Sequence, residues 1–186
     1  MALKNSAKQY GLVTKTVHWL VFLLFAGQYS TATIMEWMDD DTHVFGAGRM
    51  DWFNMHKSLG FLLLLLVFFR IVWRKTVRLP DWAKGLAEWE KRTIHYVENA
   101  LYVVMVVMPL SGLTLSIAAG HPVPFFKLFV IHGLTHPVPW LANVGWLTHF
   151  ILSYGIIGLL AVHIGLAVRR QWFEKDGYMR RMFTSQ

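Results

Sequence analysis

Residues 146–166 read WLTHFILSYGIIGLLAVHIGL, a stretch apolar and long enough to cross a bilayer that nevertheless carries two imidazoles, His149 and His163. A helix spans the hydrocarbon core in ~20 residues, and an unpaired ring nitrogen inside that core is costly. Both histidines therefore need partners, and their spacing says where the partners stand. Fourteen residues separate them, and at ~100° per residue this falls within ~40° of four whole turns. The two rings leave nearly the same helix face, ~21 Å apart in depth at ~1.5 Å rise per residue.

Three more apolar spans precede this one, at about Val13–Met38, Trp52–Trp73 and Thr93–Ala118, with the fourth at about Trp146–Trp172. The 186 residues fit one domain over the whole chain, and a hydrophobic fraction of 55% exceeds that of soluble domains. The expected fold is an all-α membrane protein, a four-transmembrane-helix bundle. The first span has the basic start and small-residue stretch (STAT) of a signal peptide, but it also carries His18, so a retained helix is expected. With no cysteine, disulfides, thiolate zinc sites and iron–sulfur clusters are excluded.

The net charge of +7 follows membrane sidedness rather than nucleic-acid binding, for no basic run interleaves with aromatics. Lys4, Lys8 and Lys15 precede the first span; Arg70, Arg74, Lys75, Arg78, Lys84, Lys91 and Arg92 surround the middle loop; Arg169, Arg170, Lys175, Arg180 and Arg181 follow the fourth. These are fifteen of the 18 basic residues. The positive-inside rule then predicts cytoplasmic termini in a multi-pass protein of the bacterial inner membrane. The other side keeps Arg49, Lys57 and Lys127 beside Glu36, Asp39, Asp40, Asp41 and Asp51. Its longest loop, GHPVPFFKLFVIHGLTHPVPWLANVG, is expected to be short irregular or helical pieces at the outer interface.

Depth along each span pairs the histidines. His18 begins the first span and His163 ends the fourth, both near the cytoplasm; His56 begins the second and His149 the fourth, both near the outer face. Zinc would need further ligands at each level. Two imidazoles on opposite faces of a porphyrin need none, so two bis-histidine haems fit best. Filled axial positions leave no site for oxygen, which suits one-electron transfer along a stacked pair. Gly60 follows His56 by four and Gly145 precedes His149 by four, each on its histidine's face. They either make room for a macrocycle or let helices pack closely.

HWL in the first span, HKSLG opening the second, FRIVWR at its exit, LSGL late in the third and the final H-x13-H, in this order, resemble the bacterial cytochrome b561 family. That family includes the cytochrome b subunits of nickel hydrogenases. The resemblance covers essentially the whole chain. It implies a four-helix protein with two b haems, axial ligands His18, His56, His149 and His163, and electron exchange with membrane quinone. It further implies two roles to separate: an oxidoreductase, with superoxide oxidised outside and ubiquinone reduced, or an anchor subunit carrying electrons for a docked catalytic protein. An acidic outer side argues against capture of the superoxide anion by bulk charge, although Lys57 and Lys127 still offer local positive charge; superoxide, a periplasmic redox protein and quinol all stay open as outer partners. A haem-free transporter using histidines as proton relays is the third reading.

Of the remaining histidines, His95 is read as interfacial, and His121, His132 and His136 as solvated loop residues. Arg49, Lys57, Arg70 and Arg74 are either partners for haem carboxylates or simple topology charges at helix ends.

Overall fold

A computed structural model describes residues 2–82, 85–175 and 179–183 of the chain. Lys84, counted above among the basic residues of the middle loop, lies outside them. Four long helices carry the fold: α1 (Leu12–Trp37), α2 (Arg49–Thr76), α3 (Glu88–Ala118) and α4 (Pro139–Trp172). Each is long and apolar enough to cross a membrane. A four-residue helix, α5 (Arg180–Phe183), follows.

All four exceed the apolar runs at one or both ends, because polar residues cap or extend the terminal turns. Asn5 Oδ1 accepts from Gly11 N and from the Thr14 hydroxyl, fixing the start of α1. Asp51 accepts from Gly48 N at the head of α2, and Glu90 accepts from Ala87 N at the head of α3. In both cases an acid at the third helical position satisfies an amide that the helix itself cannot. Pro139 opens α4 at its first turn, where its missing N–H costs nothing.

The helices run alternately up and down, which puts both chain termini at one end. At that terminal end Trp73 Nε1 donates to the Thr14 hydroxyl, tying α2 to α1. There too, Glu90 of α3 holds Arg169 and Arg170 of α4 at 3.1 and 3.3 Å. Glu90 and Arg170 are each only a few per cent exposed. Glu174 completes the cluster with both arginines. Such a charge group tolerates burial only because each member is paired.

Contacts between helices are unequal. α1 lies along α2, α3 along α4, and α2 touches α3, whereas α1 and α4 barely meet. The α3–α4 pair is drawn together at Gly145, where a Cβ would fall 2.6 Å from Leu115 N and 2.9 Å from Ser111 O. Gly145 is thus a packing glycine. The core proper is a band of Val21, Phe25, Leu63, Val67, Leu101 and Ile156 between the two halves. Large apolar side chains such as Leu23, Phe69, Val103 and Ile151 point outward, as lipid-facing surfaces require.

The opposite, hairpin end differs from the expectation of irregular or helical pieces. β3 (Val123–Phe125) and β4 (Phe129–Ile131) form an antiparallel hairpin, and β1 (His43–Val44) pairs with β2 (Ala47–Gly48) in the loop after α1. Ser58 of α2 anchors the larger hairpin, accepting from Phe126 N, with Asn54 O at 2.8 Å and Pro124 O at 3.0 Å both within reach of its one hydrogen. Phe61 packs against Phe125 and Phe129. These pairings give backbone groups near the membrane surface the partners they need.

Candidate functional site

Two cavities lie one above the other between the helix pairs, each with two histidines. The terminal-end cavity, ~590 Å³, is lined by His18 and His163, with Arg70, Arg74 and Glu98 among its polar residues. The hairpin-end cavity, ~340 Å³, is lined by His56, His149, Gln28 and Lys57. Both volumes lie in the range of cofactor sites, about 300–1,000 Å³. Phe25 and Tyr29 line both cavities, so one face of α1 forms the partition between them. Tyr29 donates to Ser153 O and so ties α1 to α4 across the gap.

The ring centroids of His18 and His163 are 6.3 Å apart at 44°, and those of His56 and His149 are 6.2 Å apart at 76°. The four histidines singled out by depth are therefore brought together in the expected couples. Midway along α4, seven residues from each of its histidines, Ile156 is fully buried; it shares their face and spaces the two levels.

Surrounding groups fix how three of the rings present themselves. The Thr31 hydroxyl lies 2.9 Å from Gln28 O and 3.0 Å from His56 Nδ1, and with its one hydrogen on Gln28 O it accepts from the ring. Ser111 stands likewise between Met108 O and His149 Nδ1, 3.2 Å away, and that nitrogen also lies 3.0 Å from Met108 O. A carbonyl can only accept, so His149 carries its proton on Nδ1 and leaves Nε2 as a free lone pair; the same tautomer at His56 satisfies Thr31 and Gln28 O together. At His18 the sign is reversed: Nδ1 faces Arg70 Nη1 and Nη2, both 3.3 Å away, and a guanidinium can only donate. Arg70 is also held by the Tyr102 hydroxyl through its Nε.

Four residues around these rings escaped the sequence reading. Gln28 and Thr31 sit three apart in an apolar span and are both buried, a pattern of paired polar residues on one helix face that was open to notice. Ser111 and Gly112, within LSGL, were read only as part of a motif. A Cβ on Gly112 would fall 3.1 Å from two atoms of the His149 ring. Gly60 faces Gln28, whose Nε2 would lie 3.1 Å from such a Cβ.

The other residues weighed from sequence fall elsewhere. His95 contacts Trp82 edge-on and is exposed, as are His121, His132 and His136. Arg49 binds Met35 O and Asp40, and Lys57 donates to Pro122 O at 2.9 Å, which makes both of them tethers for the hairpin end. Arg70 and Arg74 alone of the four line the larger cavity. Tyr10, half-buried, also lines that cavity; its desolvation pushes its phenol above the ordinary range, with the nearby Glu98 charge acting in the same direction. It stays protonated, a donor.

Four membrane-length helices enclosing histidine pairs at two depths define a class of protein, the helical membrane cytochromes. The model of the prokaryotic cytochrome b561 family matches residues 9–185, and the chain belongs to that family. It is 24% identical over 186 residues to cytochrome b561 homolog 2 of Escherichia coli (strain K12), covering 98% of this chain and 95% of that protein. Cytochrome b561 homolog 1 of the same organism is 21% identical over 166 residues, covering 89% of this chain and 92% of that protein. Membership makes this a membrane haem protein of the b type, built for electron transfer across a membrane.

Proposed function

We propose that the chain, acting as one domain over residues 1–186, holds two b haems and passes electrons between membrane quinone and a redox partner at the outer face. His18 with His163 would hold one haem near the cytoplasm, and His56 with His149 the other near the outer face. The observation that carries this reading is the pair of centroid separations, 6.3 and 6.2 Å, in two separate cavities. Two imidazoles on one metal ion, with bonds of ~2.0 Å and ~1.1 Å from nitrogen to ring centre, stand ~6 Å apart. Among the described residues no three His, Cys, Asp or Glu side chains gather, so a metal between either pair must bring its remaining ligands, as a porphyrin does.

The donor sets fit that group, unequally. At the hairpin end both Nε2 lone pairs are already free. At the terminal end, ligation through His18 Nε2 puts the proton on Nδ1, where Arg70 also donates. The two arrangements exclude each other, so Arg70 must turn from His18 toward an acceptor in the cavity while keeping Tyr102. Bound haem supplies a one-electron couple that cycles between ferric and ferrous iron without opening a coordination position. The chain's own residues hold the two couples at fixed depths, with Ile156, Phe25 and Tyr29 keeping water from the space between.

The topology charges support cytoplasmic termini. At the outer face Arg49 is paired with Asp40, and Lys57 and Lys127 stand against Glu36, Asp39, Asp41 and Asp51, so the balance of charge there does not favour steering of superoxide. A neutral or cationic outer partner is favoured. Among the described residues, the segments at the outer end of the helices are two short hairpin loops with no room for a catalytic domain, which also suits an anchor subunit; co-purification of a larger soluble protein would select that role. The deciding experiment is a haem count with reduced-minus-oxidised spectra on detergent-purified protein. Two haems per chain are expected, with His56→Ala and His149→Ala losing one and the same haem and His18→Ala and His163→Ala losing the other. A single haem, or His56→Ala matching His163→Ala, would refute the pairing.

A further inference from the structure

The His56 residue is gripped at both its ring and its main chain by two residues of α1. Gln28 Nε2 donates to His56 O at 3.1 Å. Thr31 accepts from His56 Nδ1–H at 3.0 Å and returns its own proton to Gln28 O. The three bonds join neighbouring helices in a chain that is satisfied throughout when His56 carries its proton on Nδ1, as ligation through Nε2 requires. Thr31 is 4% exposed and Gln28 8%, so water does not compete for these groups. The counterpart at His149 uses the same logic from α3, with Ser111 and Met108 O as acceptors. Nothing equivalent surrounds His18, whose Nδ1 meets a cation.

An acceptor on Nδ1–H increases the electron density that the opposite nitrogen gives to a metal and fixes the plane of the ring. A stronger donor favours the oxidised metal and so lowers its reduction potential. We infer that Thr31 is a positioning residue for the hairpin-end centre, fixing the His56 tautomer and ring plane and holding that centre's potential below the value His56 alone would give. This rests on the reading of His56 as an axial ligand. Gln28 supplies the second grip, and its Oε1 remains a buried acceptor with no partner beside the same cavity.

The test is a potentiometric titration of the full-length holoprotein in detergent, followed optically, with Thr31→Val and Thr31→Ser beside it. Valine keeps the shape and removes the acceptor; serine keeps the acceptor. Thr31→Val should move one midpoint upward by about tenfold in the reduction equilibrium, about 59 mV for a one-electron couple. The midpoint that moves should belong to the haem that His56→Ala removes. The other should stay in place, and Thr31→Ser should restore the original value. Loss of that one haem in Thr31→Val with retention in Thr31→Ser would support the same assignment. Two unchanged midpoints, equal movement of both, or failure of serine to rescue would overturn it. If His56→Ala retains both haems, the ligand reading itself falls; if it loses one while Thr31→Val shifts nothing, only the role of Thr31 falls.

Discussion

Gly112→Ala puts a single methyl against the ring of His149 and nothing else of consequence. The added carbon would lie 3.1 Å from both Cε1 and Nδ1, whereas carbon contacts settle at ~3.5–4.0 Å. The ring must therefore retreat by ~0.5 Å. It is held by Met108 O at 3.0 Å and Ser111 at 3.2 Å, and a retreat of that size takes the longer bond past the ~3.5 Å at which it stops counting. Overpacking of this kind costs ~1–3 kcal/mol. Against it, alanine in a helix interior regains about 1 kcal/mol over glycine, so overall stability should fall by ~0–2 kcal/mol. The cost falls on the imidazole, and in retention of the haem held by His149 it corresponds to roughly 5- to 150-fold. The assay is the haem-to-protein ratio during dilution or competition with apomyoglobin, with spectra resolving the two centres. The His149 centre should empty first while the His163 centre stays filled. Gly145→Ala is the contrast, since its methyl meets backbone of α3 at 2.6 Å and can be relieved only by parting the helices, which should weaken both centres together. Equal retention of both haems in Gly112→Ala, with unaltered spectra, would refute the placement of His149.

Glu90→Gln should lower the thermal midpoint by ~10 °C in detergent, since removing one charge from a buried group costs about 3 kcal/mol and a chain of this size loses a few degrees per kcal/mol; an unchanged midpoint would mean that the Glu174 pairs already suffice. Lys57→Met should free Pro122 O at a cost of about 1 kcal/mol, read as faster hydrogen exchange confined to residues 121–131; slower or unchanged exchange there would show that Ser58 alone anchors the hairpin.

What was legible in the sequence follows from how far each signal travels along the chain. Span number and the histidine couples depend on length, periodicity and depth, all properties of one helix at a time, and these were readable. The helix ends were not, because Glu88–Arg92 at the head of α3 is mostly charged and Pro139–Gly145 at the head of α4 is interrupted by Pro139, Asn143 and Gly145, so neither continues the apolar run. The β3–β4 hairpin was missed because its strands are three residues each and broken by proline. Gly145 was open between two roles until the backbone of α3 appeared beside it. Thr31, Ser111 and Gly112 matter through contacts across the bundle, each to a histidine 25 to 38 residues away, which no local pattern encodes.

The two histidine couples look equivalent by spacing, and α4 supplies one member to each from the same face. Their difference is made entirely by the other three helices. At the hairpin end α1 and α3 offer neutral oxygens whose own protons are committed elsewhere, so the imidazoles have one available protonation pattern. At the terminal end α2 offers Arg70, and Arg74 and Glu98 share the cavity, so charge rather than hydroxyl geometry surrounds His18. A cation near a centre favours the reduced form, just as an acceptor on Nδ1–H favours the oxidised one. If the couples hold haems as proposed, Arg70 and the Nδ1 acceptors would both make the terminal-end centre the better resting place for an electron, while Lys57 beside the hairpin-end cavity and Glu98 in the terminal-end one act against them. On that reading any difference between the two levels is set by Thr31, Ser111 and Arg70 against Lys57 and Glu98, and not by the histidines themselves.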